Sequence, residues 1–218
     1  MRLKKLATRA VLPTIALFGI AFGVHRTIVA ADHFDPPARV GGSEATRGNL
    51  DVAADIADVY AFHDNNNLYL SLSFGGPSSP TLPAFYDRDV LYAINLSNEG
   101  SRTDTEFPIQ FRFGFDGASP GIQVTGLPPN GGTITGPVET NLTAPNGVVV
   151  RAGLFDDPFF FDPQGLRESR QTGNLSFNNQ RNPFANRNTT FVVISIPRAL
   201  VDRGRPIDVW STASRIRG

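Results

Sequence analysis

Residues 68–74 read LYLSLSF, and strict alternation of apolar and polar side chains over this run specifies a β-strand with one face on a core. Leu68, Leu70, Leu72 and Phe74 fall on that face, and Tyr69, Ser71 and Ser73 fall on the other, the wetter side of an antiparallel sheet. A second alternating run, 58–63 (DVYAFH), precedes it. Between them lies Asp64-Asn65-Asn66-Asn67, a polar cluster whose Asn residues tolerate positive φ. The two runs are a predicted hairpin.

Further strands are predicted at 89–96 (DVLYAINL), 107–115 (FPIQFRFGF), 121–125, 133–138, 147–152 (GVVVRA), 190–196 (TFVVISI) and 206–212. Pro108 belongs at a strand start or edge, because it has no N–H to give to a ladder. Gly/Pro/Ser-rich stretches separate the strands, notably 75–83 and 126–147. Helix is scarce. Residues 197–203 (PRALVDR) predict one or two turns with Pro197 in first position, and the Asn-, Gln- and Arg-rich stretch 163–187 reads as a long loop. The expected class is all-β, an antiparallel, jelly-roll-like β-sandwich with long Gly/Pro-rich loops and little helix.

The N-terminus has the parts of a secretory signal. Arg2, Lys4, Lys5 and Arg9 form a basic start, residues 10–24 an apolar run, and Ala30 and Ala31 a small-residue cleavage site. The apolar run is shorter than the ~18 residues of a membrane span, and Pro13 interrupts it. We therefore expect residues 1–31 to be a signal peptide and residues 32–218 a single domain, secreted or periplasmic and without a membrane anchor. With no cysteine, the domain forgoes disulfides, but a chain of this length buries about two-thirds of its unfolded surface and holds together on its core.

Loss of the signal changes the charge. The chain has 20 basic and 20 acidic residues, and all the acidic ones lie beyond residue 31. Arg2, Lys4, Lys5, Arg9 and Arg26 leave with the signal, so the mature domain carries 15 arginines, no lysine and a net charge of −5. Such a surface argues against nucleic acid and anionic membranes as partners and fits cations or neutral polymers.

Several chemistries are excluded. Without cysteine there is no thiol nucleophile, zinc–thiolate cluster or iron–sulfur site. There is also no GxSxG, HExxH, GxGxxG or phosphate-binding glycine loop. What remains is carboxylate clusters: Asp32 and Asp35 beside His33; Asp51, Asp55 and Asp58 leading into the first hairpin strand; and Asp156, Asp157 and Asp162 around three phenylalanines. Crowded aspartates repel one another unless a cation or an arginine neutralises them. They are open to three readings: turn caps and salt bridges to the arginines, a catalytic carboxylate pair, or a site for a hard divalent cation such as Ca²⁺. The candidate metal ligands are His33, Asp35, Asp55, Asp58, Asp156 and Asp157. Cleavage after Ala30 would place His33 third in the mature chain, where amine, amides and imidazole wrap Cu(II) or Ni(II); the alternative is a His ordered by Asp35. His63 reads as a hairpin residue. Alternation puts Phe159 and Phe161 on one side and Phe160 on the other, as anchors for the loop or as a ring beside the carboxylates.

Four blocks in order carry a family resemblance: DHFDPP, AADIADVYAFHDNNNLYLSLSF, VVVRAGLFDDPFFFD, and NTTFVVISIPRALV followed by PIDVWSTAS. They resemble the secreted bacterial proteins grouped as domain of unknown function family 4331 (DUF4331), over nearly the whole mature chain. His33, Asp35, Asp55 and Asp58 match the His-acid start before the DxxDVYAF strand of that family. The resemblance brings no reaction or ligand, and the chain lacks the long insertions of many members. The hairpin also resembles, more weakly, the opening of carbohydrate-binding β-sandwiches of the family-nine and DOMON type. The resulting expectation is a non-catalytic exported sandwich that binds a divalent cation and a glycan or envelope partner. The alternatives are a metal-assisted or two-carboxylate hydrolase of an extracellular polymer, and a structural envelope protein.

Overall fold

The strand pattern of the sequence reappears with small changes of boundary. The computed structural model describes residues 33, 37, 39–40, 49–100 and 104–216. The expected signal peptide, its cleavage point and Asp35 lie outside the described residues. A small ribbon, β1 (Arg39–Val40) with β2 (Asn49–Leu50), precedes a 3-10 turn at Val52–Ala54. Then follow β3 (Ile56–His63), β4 (Asn67–Ser78), β5 (Val90–Ser97), β6 (Phe107–Asp116), β7 (Ser119–Leu127), β8 (Gly132–Pro137), β9 (Leu142–Thr143) and β10 (Val149–Asp156). Helix α1 (Pro163–Thr172), β11 (Asn188–Pro197), a 3-10 turn at Arg198–Leu200 and β12 (Asp208–Arg215) complete the order.

Two five-stranded antiparallel sheets result, ordered β3-β4-β11-β10-β9 and β12-β5-β6-β7-β8. The chain changes sheet after β4, β8 and β11. The protein is an all-β sandwich. Alternation explains the core: on β6, Phe107, Ile109, Phe111 and Phe113 are buried while Pro108, Gln110, Arg112 and Gly114 face out. From the other sheet, Leu70, Leu72, Phe74, Val192 and Ile194 close over them, all fully buried. Tyr92 stacks between Phe74 (4.3 Å) and Phe111 (5.2 Å), and its hydroxyl donates to the Ala53 carbonyl, which satisfies the one polar atom of a buried ring. Among the described residues, no helix is long and apolar enough to cross a membrane.

The β3–β4 hairpin forms as predicted, but no Asn in its turn adopts positive φ. The Asp64 carboxylate holds the turn instead, accepting the Asn66 and Asn67 amides at 2.7 Å each. Pro108 sits second in β6, at a strand start as expected. Pro197 stands just before its 3-10 turn rather than inside it. The stretch 163–187 is not all loop. Residues 163–172 form α1, because Asp162 caps it by accepting the Gly165 amide (2.8 Å), Pro163 opens it, and Gly173 closes it at φ +74°.

Candidate metal centre

The site forms where two strand irregularities coincide. In β3, Ile56 pairs with Phe74 but Asp58 pairs with Ser73, so a bulge at Ala57 shifts the alternation by one residue. Ile56 faces the core side, and beyond the bulge Asp58, Tyr60 and Phe62 share the opposite face of the sheet. The Asp58 amide donates to the Ser73 hydroxyl at 2.9 Å, which helps explain why Ser73, predicted to lie on the wetter face, is fully buried.

The second irregularity lies at the start of β11. Asn188 pairs with Ser78 and Thr190 with Phe74, so Gly75, Gly76 and Pro77 bulge out of β4. Gly76 passes so close to Thr189 that a Cβ there would lie 2.3 Å from the threonine hydroxyl. Thr189 is thereby fully buried, and its hydroxyl donates to Asp157 Oδ2 at 3.1 Å.

Asp157 itself lies one residue beyond β10, and its amide donates to the Arg187 carbonyl at 2.9 Å. Its Oδ1 accepts the Phe159 amide at 3.0 Å. Onto these two carboxylates closes His33, 124 residues earlier in the chain than Asp157. Its Nε2 lies 3.0 Å from Asp157 Oδ2 and 3.4 Å from Asp58 Oδ2. All three side chains are buried or nearly so, at 0, 7 and 1 % exposure for His33, Asp58 and Asp157. The imidazole is stacked on Phe159 at 4.1 Å and 18° and meets the edge of Phe184 at 5.0 Å. Phe159 therefore serves both as anchor and as the ring beside the carboxylates. Phe160 points away and is exposed, as alternation predicted.

The environment separates the two acids. Burial pushes the Asp58 carboxyl up, and the His33 charge and the Tyr60 hydroxyl, which donates to Asp58 Oδ2 at 3.2 Å, only partly offset it. Burial also acts upward on Asp157, but hydrogen bonds from His33, the Phe159 amide and Thr189 outweigh it and hold the carboxyl below its ordinary value. Burial and then Asp58 push the Tyr60 phenol far above its ordinary value, so it remains a proton donor. The same pocket thus favours the ionised form of Asp157 and disfavours that of Asp58.

A ligand atom from each of His33, Asp58 and Asp157 lies within 4.8 Å of the other two, the one such group among the described residues. A cation ~2.1 Å from nitrogen and oxygen ligands sets neighbouring ligands about 3.0–3.4 Å apart in octahedral or tetrahedral geometry. The two His33–Asp distances match that range.

Of the other predicted ligands, Asp55 and Asp156 lie outside the group. Asp55 ends the 3-10 turn and gives its carbonyl to the Gly75 amide, outside the group. Asp156 is exposed, one residue from Asp157 and outside the group, with the Asn188 amide beside it. Asp51 and Asp162 serve as caps and arginine partners: Asp51 binds Arg215 (Nε–Oδ2 2.6 Å), and Asp162 binds Arg181 (2.9 Å). His63 gives its Nδ1 to the Asp64 carbonyl at the hairpin end. Tyr60, Thr189 and Phe184 were not foreseen. Only Tyr60 had a signal, two residues from Asp58 and therefore on the same strand face. No family model, curated protein or solved structure matches the chain.

Proposed function

We propose that this is an exported, non-catalytic β-sandwich whose His33–Asp58–Asp157 centre binds a divalent cation, and that it works by presenting its surface to a glycan or envelope partner. The observation that carries the metal reading is the convergence of three ligand atoms from three distant segments within 4.8 Å. Thr189, Tyr60 and the Phe159 amide orient the carboxylates, as the outer partners of a metal's ligands do. The imidazole and the small ligand count suit Zn²⁺ or Mn²⁺ better than Ca²⁺, which takes six to eight oxygens. Metal ligation needs both carboxyls ionised and the imidazole neutral, so binding releases whatever protons these groups hold. The family resemblance and the leader-like N-terminus support export; the acidic, lysine-free mature composition supports a neutral or cation-bridged partner.

The 3.0 Å hydrogen bond between His33 and Asp157 favours a second reading, a metal-free clasp in which an imidazolium bridges two carboxylates. The two-carboxylate form of the hydrolase alternative draws no support from this pair. A glycosidase sets its acids ~5–9 Å apart across a cleft, whereas Asp58 and Asp157 meet at one nitrogen.

Elemental analysis and calorimetric titration of the purified protein with Zn²⁺, Mn²⁺ and Ca²⁺ separate the readings. One equivalent of Zn²⁺ or Mn²⁺, bound with proton release, is expected. Absence of binding by all three leaves the clasp.

A further inference from the structure

At the far end of β3 from Asp58, the edge strands of the two sheets leave a second opening. A cavity of about 260 Å³ lies between β3, β12 and the connection that follows β11. Its floor is apolar, built from Leu68, Val201, Ile207 and Val209. Arg198, Asp202 and Arg205 also line it, and the two arginines differ. Arg198 is already neutralised, with one nitrogen on the Asp64 carbonyl (3.1 Å) and another on Asp202 Oδ2 (2.6 Å). Arg205 is fixed by the Glu99 backbone carbonyl alone (2.6 Å) and has no carboxylate partner among the described residues. Phe62 also borders the cavity, but its ring lies on the outer face of the sheet, stacked on Tyr69 at 5.1 Å.

We propose that this cavity binds a small carboxylic acid with an apolar body. The oriented, uncompensated Arg205 fork matches a carboxylate, and a carbonyl partner holds it in place without cancelling its charge. The floor of Leu68, Val201, Ile207 and Val209 favours a hydrocarbon body over a polyhydroxyl one. The volume lies below the 300 Å³ at which drug-sized pockets begin, so the ligand is a small one. The cavity shares no residue with the metal centre, and its lining on β3, Ala61 to His63, lies about 10–17 Å along the strand from Asp58, so the two readings stand or fall separately.

Calorimetric titration with sodium benzoate, benzamide and sodium acetate tests the proposal. Benzoate should bind at least tenfold more tightly than benzamide, which lacks the charge, and than acetate, which lacks the body. Arg205→Gln should weaken benzoate about tenfold or more, while Arg112→Gln, on the outer face of the other sheet, should not. Val209→Phe should abolish binding by filling the floor, with an unchanged far-ultraviolet circular dichroism spectrum as evidence of folding. No benzoate binding at about 10 mM would overturn the proposal. Equal affinity for benzamide, or full affinity in Arg205→Gln, would overturn it as well.

Discussion

At the scale of single residues, position along the chain says little about role. Asp156 and Asp157 are neighbours, yet one is exposed and the other is held by His33, Thr189 and the Phe159 amide. Replacing Asp157 with Asn keeps the shape and removes the charge that faces His33. Breaking a buried ion pair on one side costs about 3 kcal/mol or more, whereas an exposed substitution stays within about 0.5 kcal/mol. Denaturant titration should therefore show a large loss for Asp157→Asn and almost none for Asp156→Asn. Equal effects would mean that the centre does not hold the fold. The sequence displayed every acid of this site but not the selection among them. Asp55 closes the 3-10 turn ahead of β3, whereas Asp58 lies inside the strand just beyond the bulge at Ala57, and no local pattern announces a bulge.

At the scale of elements, legibility follows periodicity. LYLSLSF and FPIQFRFGF alternate, and they became β4 and β6 within a few residues of the predicted ends. Helix α1 (PQGLRESRQT) carries one aliphatic side chain and no apolar stripe, so the period that betrays most helices is missing. Its signals were at its ends, Asp162-Pro163 and Gly173. Asp162 accepts the Gly165 and Asn178 amides at 2.8 and 2.9 Å and pairs with Arg181. Burial pushes its carboxyl up, but those amides and Arg181 outweigh burial and hold it below the ordinary value. A carboxyl with a depressed folded-state pKa stabilises fully above its unfolded value and loses that contribution as pH falls through the folded one. Wild-type stability should therefore decline on acidification below about pH 4, and Asp162→Asn should be less stable at neutral pH and show a flatter acid limb. A parallel decline in the two proteins would remove Asp162 from the account.

At the scale of the molecule, the sandwich brings together segments that the sequence keeps far apart. Adjacent strands β3, β4, β11 and β10 carry Asp58, Ser73, Thr189 and the exit to Asp157 to one end of one sheet, and His33 reaches them from the N-terminal segment. That convergence depends on strand order, which periodicity does not encode. A cation at this centre would bind only the folded chain, so it would stabilise the whole domain by about 2.7 kcal/mol at a hundredfold excess over its dissociation constant. For a domain of this size that corresponds to a melting shift of roughly 5–10 °C. The most direct test is the melting temperature of chelator-treated protein before and after addition of Zn²⁺ or Mn²⁺, beside an Asp58→Asn/Asp157→Asn double variant. The account predicts a rise of several degrees in the wild type and none in the variant. An unchanged wild-type melting temperature with both metals would contradict it.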